Sequence, residues 1–190
     1  IYFCEANSSY LINKNNMMKV KKLSGKVQDA QQIPTLFDHE NIMYYPINIV
    51  NWKEYPYQPQ VSFRIAYTND AILVHYKVVE DSVRAKYGED NGSVWTDSCV
   101  EFFSIPARDG VYYNLECNCI ATILLAAGSE RSNREMAPLE ITDQVKRWAS
   151  LGRETFEEKI GECTWEVALQ IPYKVFFKHT ITLSLIHISE

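Results

Sequence analysis

The residue types best placed to do chemistry lie in Ser93-Val94-Trp95-Thr96-Asp97-Ser98-Cys99-Val100-Glu101-Phe102-Phe103, where an aromatic and two carboxylates lead into an apolar strand. A carboxylate inside a run such as Val100-Glu101-Phe102-Phe103 cannot be buried alone, because an unpaired buried charge costs several kcal/mol. Glu101 therefore needs an ion-pair partner, a ligand hydroxyl or water. A tryptophan face covers the C–H face of an amphipathic ring, and nearby carboxylates accept its hydroxyl protons, which is the chemistry of holding a sugar. The alternative is a bend in which Asp97 caps a turn and Glu101 is ion-paired. Extended backbone would separate Trp95 from Glu101 by about 20 Å. Ligand binding therefore requires Thr96-Asp97-Ser98 to curl Trp95 back over the strand.

Other chemistries are not legible. The sequence has no Ser-His-Asp set, phosphate loop, H-E-x-x-H or glycine-rich dinucleotide turn. His39, His75, His179 and His187 are scattered, and His75 reads as a satisfied strand residue. Glu101 and Glu116 could form a glycosidase pair only across a cleft, about 5 to 9.5 Å apart. Two carboxylates on one sheet face more often bind or pair. The five cysteines, Cys4, Cys99, Cys117, Cys119 and Cys163, form no disulfide framework and read as reduced, buried thiols. Cys117 and Cys119 sit two apart on one strand face, too far for easy bridging, and zinc spacing is missing.

The elements that must position these residues are mostly strands. Val61 to Tyr67 alternates, Thr68-Asn69-Asp70 marks a turn, and Ala71 to Val79 completes a hairpin. Glu80 to Gly92 reads as charged and irregular. A strand runs from about Ser98 to Ser104, followed by Val111 to Asn118. There Tyr113, Leu115 and Cys117 face one way, and Tyr112, Asn114, Glu116 and Asn118 the other. Ile120 to Ala127 continues as a strand. The stripe Ile141, Val145 and Trp148 predicts a short helix over Glu140 to Trp148, Trp165 to Ile171 a strand, and Pro172 opens a helical turn. This pattern is an all-β protein, an antiparallel β-sandwich with one or two short helices.

The 190 residues suit one substantial core, and the formal net charge of −5 gives no electrostatic case for nucleic acid or an anionic membrane. No apolar run approaches the length of a membrane span. Residues 1–16 read as a non-native or disordered leader, Met17 or Met18 as the true start, 17–182 as the sandwich, and 183–190 as a doubtful tail resembling a translated adapter. No signal peptide follows Met17-Met18, which points to the cytoplasm.

The order of these pieces resembles carbohydrate-binding module family 9, and more closely its Bacteroidetes-type relatives. The matching residues are Asn51-Trp52, Pro56-Tyr57-Gln58-Pro59 before Val61-Ser62-Phe63, and Val79-Glu80-Asp81-Ser82-Val83-Arg84-Ala85. They continue with Trp95 to Phe103, Tyr112 to Asn118, Trp165-Glu166-Val167 and Ile171-Pro172, covering about Lys19 to Phe177. The resemblance implies a non-catalytic saccharide or chain-end binder that supports polysaccharide breakdown and works outside the cytoplasm. It also implies a glycoside hydrolase as companion in a longer parent protein. It places Trp95 and Glu101 as half of the site, with Glu116, Asn118 and Arg84 as further candidates; Glu116 stands where better-understood members carry arginine. A second tryptophan that closes over the sugar would come after this chain stops, which makes the chain a fragment. The resemblance allows calcium, with Asp81 and Asp90 as candidate ligands, but implies no other cofactor. Two rival readings are a haem module using Met43, Met136, His39 or His75, and a ligand-free interaction domain in which Trp95 is core and Glu101 pairs with a base such as Arg84.

Overall fold

Two sheets face each other across one apolar layer in the computed structural model, which describes residues 18–50, 54, 56–107 and 109–181. The leader, Cys4, Met17, Asn51-Trp52 and the tail with His187 lie outside the described residues. Sheet A has the order β1 (Lys21–Lys22), β3 (Gln60–Tyr67), β4 (Ala71–Ala85), β10 (Phe156–Pro172), β9 (Lys146–Ala149), with β2 (Tyr45–Ile47) also paired to β3. Sheet B is β5 (Cys99–Ser104), β6 (Tyr112–Asn118), β7 (Ile123–Gly128) and β8 (Glu135–Met136). Apart from the short parallel pairing of β1 with β3, the pairs are antiparallel. The architecture is the antiparallel β-sandwich that the alternation predicts.

The period of two assigns the faces. Val74, Tyr76 and Val78 of β4 and Trp165, Val167, Leu169 and Ile171 of β10 point into the layer between the sheets. Sheet B answers with Val100, Tyr113, Leu115, Cys117, Ile123, Leu125 and Ala127. Sheet A also buries its other face. Leu23, Val27, Ala30, Ile33 and Phe37, from the segment leading into α1 (Ile33–His39), pack on Ala66, Leu73 and Ala168. Cys117 and Cys119 are fully buried free thiols, and burial pushes the Cys117 thiol up to about 12.

Four expected elements differ in the structure, among them β10, which starts at Phe156 rather than Trp165. β4 does not stop at Val79: its Val83 and Ala85 stay buried, so the charged stretch from Glu80 is strand up to Ala85. The expected helix over Glu140 to Trp148 is a four-residue turn, α2 (Leu139–Thr142), followed by β9, which pairs Trp148 with Ala168. β7 begins at Ile123, because Asn118 Oδ1 accepts the Ile120 and Thr122 N–H groups and Ala121 turns at φ 59°. That turn uses the residues expected to start the strand.

α1 is held to sheet A by a polar contact as well as an apolar one. Arg64, buried on β3, donates to Asp38 Oδ1 at 2.5 Å, to the Pro34 carbonyl at 3.2 Å and to His75 Nδ1 at 2.9 Å. His75 Nε2 faces Glu166 Oε2 at 2.8 Å, and the Tyr44 ring lies 4.2 Å from the guanidinium carbon. Removing a buried charge strands the groups paired with it. Arg64→Ala should lower the unfolding free energy by about 2–3 kcal/mol in urea titration, with Arg64→Lys recovering only part because the fork geometry is lost.

Candidate functional site

Registering the core side chains of β5, β6 and β7 inward fixes what faces outward on sheet B. Glu101 is the cross-strand partner of Glu116, and Glu116 of Leu124. One step along the ladder, Phe103 partners Asn114, Asn114 partners Ala126, and Ala126 partners Met136. Phe103 and Tyr112 have ring centroids 6.1 Å apart. The result is a face with aromatic and apolar margins around two carboxylates and an amide.

The polar groups on this face are poorly satisfied. Glu116 is 5% and Asn114 2% exposed. The Asn114 amide donates to Glu116 Oε1 at 2.7 Å, but Glu116 Oε2 and Asn114 Oδ1 have no hydrogen-bond partner among the described residues. Like charges directly opposite on paired strands repel. Burial, with the Glu116 charge added, pushes the Glu101 carboxyl up to about 7, and burial raises Glu116 against the pull of Arg134. Among the described residues Arg134 and Arg131, from the turn Arg131–Asn133 and its end, are the cations that pull both carboxyls down, and the Arg134 Nε is buried with no partner there. Depressions elsewhere on the surface, one lined by Gln60, Ser62 and Lys77 and one by Lys26, Gln32 and His39, contain no such buried, unpartnered polar group.

Trp95 sits on a short 3-10 turn, Val94–Thr96, that precedes β5. Val94 is buried against Cys99, Leu124 and Ala126, all on the outer side of sheet B, while Trp95 is 44% exposed. The path from Trp95 to Glu101 is therefore bent rather than fully extended. A fully buried carboxylate holds it: Asp97 accepts the N–H groups of Lys86 and Tyr87 at 3.0 Å each and the Asn118 amide at 3.1 Å, and it pairs with Arg84 at 3.4 Å. Arg84 also donates to the Thr96 carbonyl.

The sequence-predicted residues thus divide. Glu101 and Glu116 meet as cross-strand partners, and Trp95 is exposed on the turn whose Val94 packs on the same side of sheet B. Asn118 and Arg84 sit behind the turn: both amide hydrogens of Asn118 go to Tyr87 O and Asp97, its oxygen caps the β6–β7 turn, and Arg84 serves Asp97 rather than Glu101. Tyr112 and Asn114 share the face with Glu116 as the alternation of β6 predicts, Phe103 joins it as the cross-strand partner of Asn114, and Arg134, whose charge acts on both carboxyls, carries no such periodic signal. Asp90 does not fit a calcium ligand, since its Oδ1 accepts Arg147 at 2.6 Å and the Ile123 N–H, and Asp81 is exposed on β4. Among the described residues no group of three or more His, Cys, Asp or Glu could hold a metal ion. Of the candidate haem ligands, His75 has both ring nitrogens engaged under α1 on sheet A, whereas Met136 lies on the outer side of sheet B.

Two outcomes follow from these environments. Glu101 keeps its proton to about pH 7 when folded, whereas an ordinary glutamate loses it near 4.5. Its folded pKa is raised, so the stability it contributes is present at acid pH and is lost as pH rises through that window. Glu101→Gln should flatten the fall in urea midpoint between about pH 5 and about pH 8. Asp97→Ala should cost about 2–4 kcal/mol and increase Trp95 mobility in fluorescence anisotropy, because it releases buried N–H groups and Arg84 together.

Known proteins place this chain in a lineage. A protein from Bacteroides uniformis, solved as a candidate carbohydrate-binding protein, is 48% identical with a TM-score of 0.84, over 87% of this chain and 77% of that one. A family 9 carbohydrate-binding module from Caldicellulosiruptor kristjanssonii, solved with cellotriose, is 11% identical with a TM-score of 0.49, over 80% of this chain and 66% of that one. No protein of curated function matches. The sequence itself matches carbohydrate-binding family 9 over residues 31–185, and the chain belongs to that family.

Proposed function

We propose that the outer face of sheet B binds a saccharide without transforming it, with Trp95 as the stacking platform and Glu101 and Glu116 as hydroxyl acceptors. One observation carries this reading: Glu116, buried on the outer side of sheet B, has an oxygen without a partner among the described residues, and the turn whose Val94 packs on that same side carries an exposed tryptophan, Trp95. The sugar C–H face and hydroxyls are complementary to that pairing. Binding fits the two carboxylates better than hydrolysis. Acid/base work needs their pKa values driven apart by different environments, whereas burial raises both here.

A face of this kind suits a saccharide chain end or a small saccharide, and its role would be to hold substrate for a companion glycoside hydrolase during polysaccharide breakdown. Stacking and two or three charge-assisted hydrogen bonds give affinity on the order of micromolar to millimolar. Titration with mono- and disaccharides should change tryptophan emission, and Trp95→Ala should weaken binding about tenfold or more without unfolding the sheet. Silence of the wild-type chain across the panel would defeat the proposal.

A further inference from the structure

The acceptors on this face outnumber the donors that reach them. Glu116 Oε2 and Asn114 Oδ1 are buried and have no partner among the described residues, and Glu101 lies directly across from Glu116. No side-chain hydrogen bond or ion pair to Glu101 is formed among the described residues, although its backbone carbonyl accepts from Tyr76. A buried acceptor without a donor costs about 1–3 kcal/mol, and more when charged. A neutral hydroxyl corrects this poorly, since it brings one donor together with lone pairs of its own. An ammonium brings three donors, no acceptor and the charge that two facing carboxylates lack.

We propose, resting on the saccharide reading above, that the preferred ligand is a hexosamine with a free ammonium group placed between Glu101, Glu116 and Asn114 while its ring stacks on Trp95. The groups around that position are Glu116 and Asn114 on β6, Cys99 and Phe103 flanking Glu101 on β5, Leu124 and Ala126 on β7, and Arg131 and Arg134 before β8. Neither arginine forms a hydrogen bond or ion pair with the two carboxylates among the described residues. Their charge therefore acts from beyond contact distance and offsets the raised carboxyls only in part. N-acetylation would remove the charge and two donors and bring in a carbonyl acceptor facing the carboxylates.

The protonation of the pair gives the proposal a second signature. At neutral pH the Glu101 carboxyl still holds its proton part of the time. An arriving ammonium takes over the role of that proton and releases it. Affinity for the amino sugar should therefore rise several-fold from about pH 5.5 to about pH 7, with no matching rise for the uncharged parent sugar.

The test is calorimetric titration of the full chain with glucosamine, galactosamine, their N-acetyl derivatives, glucose and galactose. The expected result is one amino sugar bound about tenfold or more tightly than its N-acetyl and parent forms, a gap of at least one charge-assisted contact. Glu116→Gln should erase that preference; Glu101→Gln serves as the second variant, and thermal melting establishes that each is folded. Equal or tighter binding of the neutral parents would overturn the ammonium assignment and leave the saccharide reading standing. Absence of binding by every sugar would overturn both.

Discussion

Because side chains alternate along a strand, setting Val100 against Cys117 and Phe102 against Leu115 on the core side obliges Glu101 and Glu116 to meet on the other. The register has no freedom, since a slip of one residue would push the carboxylates into the core and the aliphatic set outward. The stability of the sandwich and the composition of its outer face are therefore one decision. The same pairing carries Asn114 to Phe103 and Leu124 to Glu116, so the apolar margin around the carboxylates comes from the core pattern without further design.

Beside that face, a buried charge positions the turn that carries Trp95. The Asp97 carboxylate is wholly buried, yet it is surrounded by two backbone N–H groups, an amide and a guanidinium. Those partners span β4, the loop after it and the end of β6, so the carboxylate ties three parts of the chain to the turn that presents Trp95. Glu116 is the opposite case. It too is buried, but only one of its oxygens is used. Buried carboxylates are normally satisfied, which makes the contrast between Asp97 and Glu116 a difference in role as well as in environment.

Much of the sandwich could be read from alternation alone, and the faces of β3, β5 and β6 follow it directly. The continuation of β4 was obscured because charged residues at Glu80, Asp81 and Arg84 share it with Val83 and Ala85, and the buried positions decide. α1 carries little helical signal: it has seven residues with proline at its second position, and it is stabilised by the second apolar layer and Arg64 rather than by propensity. Ile141, Val145 and Trp148 mimic a helical stripe, but the chain turns after Thr142 and Trp148 finds a strand partner instead. For the site, Trp95, Glu101 and Glu116 were legible as residue types on one strand pattern. Asn118 and Arg84 were not separable from them, because their partner, Asp97, is a neighbour only after the 3-10 turn forms.

The outer face of sheet B is less stable than it could be, and the reason is instructive. Replacing Glu116 by an apolar residue of similar size would remove both a desolvation cost and a like-charge repulsion, and the adjacent Leu124 and Ala126 show that the face tolerates aliphatic packing. A second amide or base placed beside Glu116 would satisfy its free oxygen from within the chain. Either change would strengthen the sheet and leave nothing for an incoming group to bind. Local conflicts of this kind concentrate at binding sites, where the missing partner is supplied from outside. The carboxylate pair, both members raised by burial and short of donors among the described residues, is such a conflict, and it lies on the side of sheet B against which the turn carrying Trp95 packs its Val94.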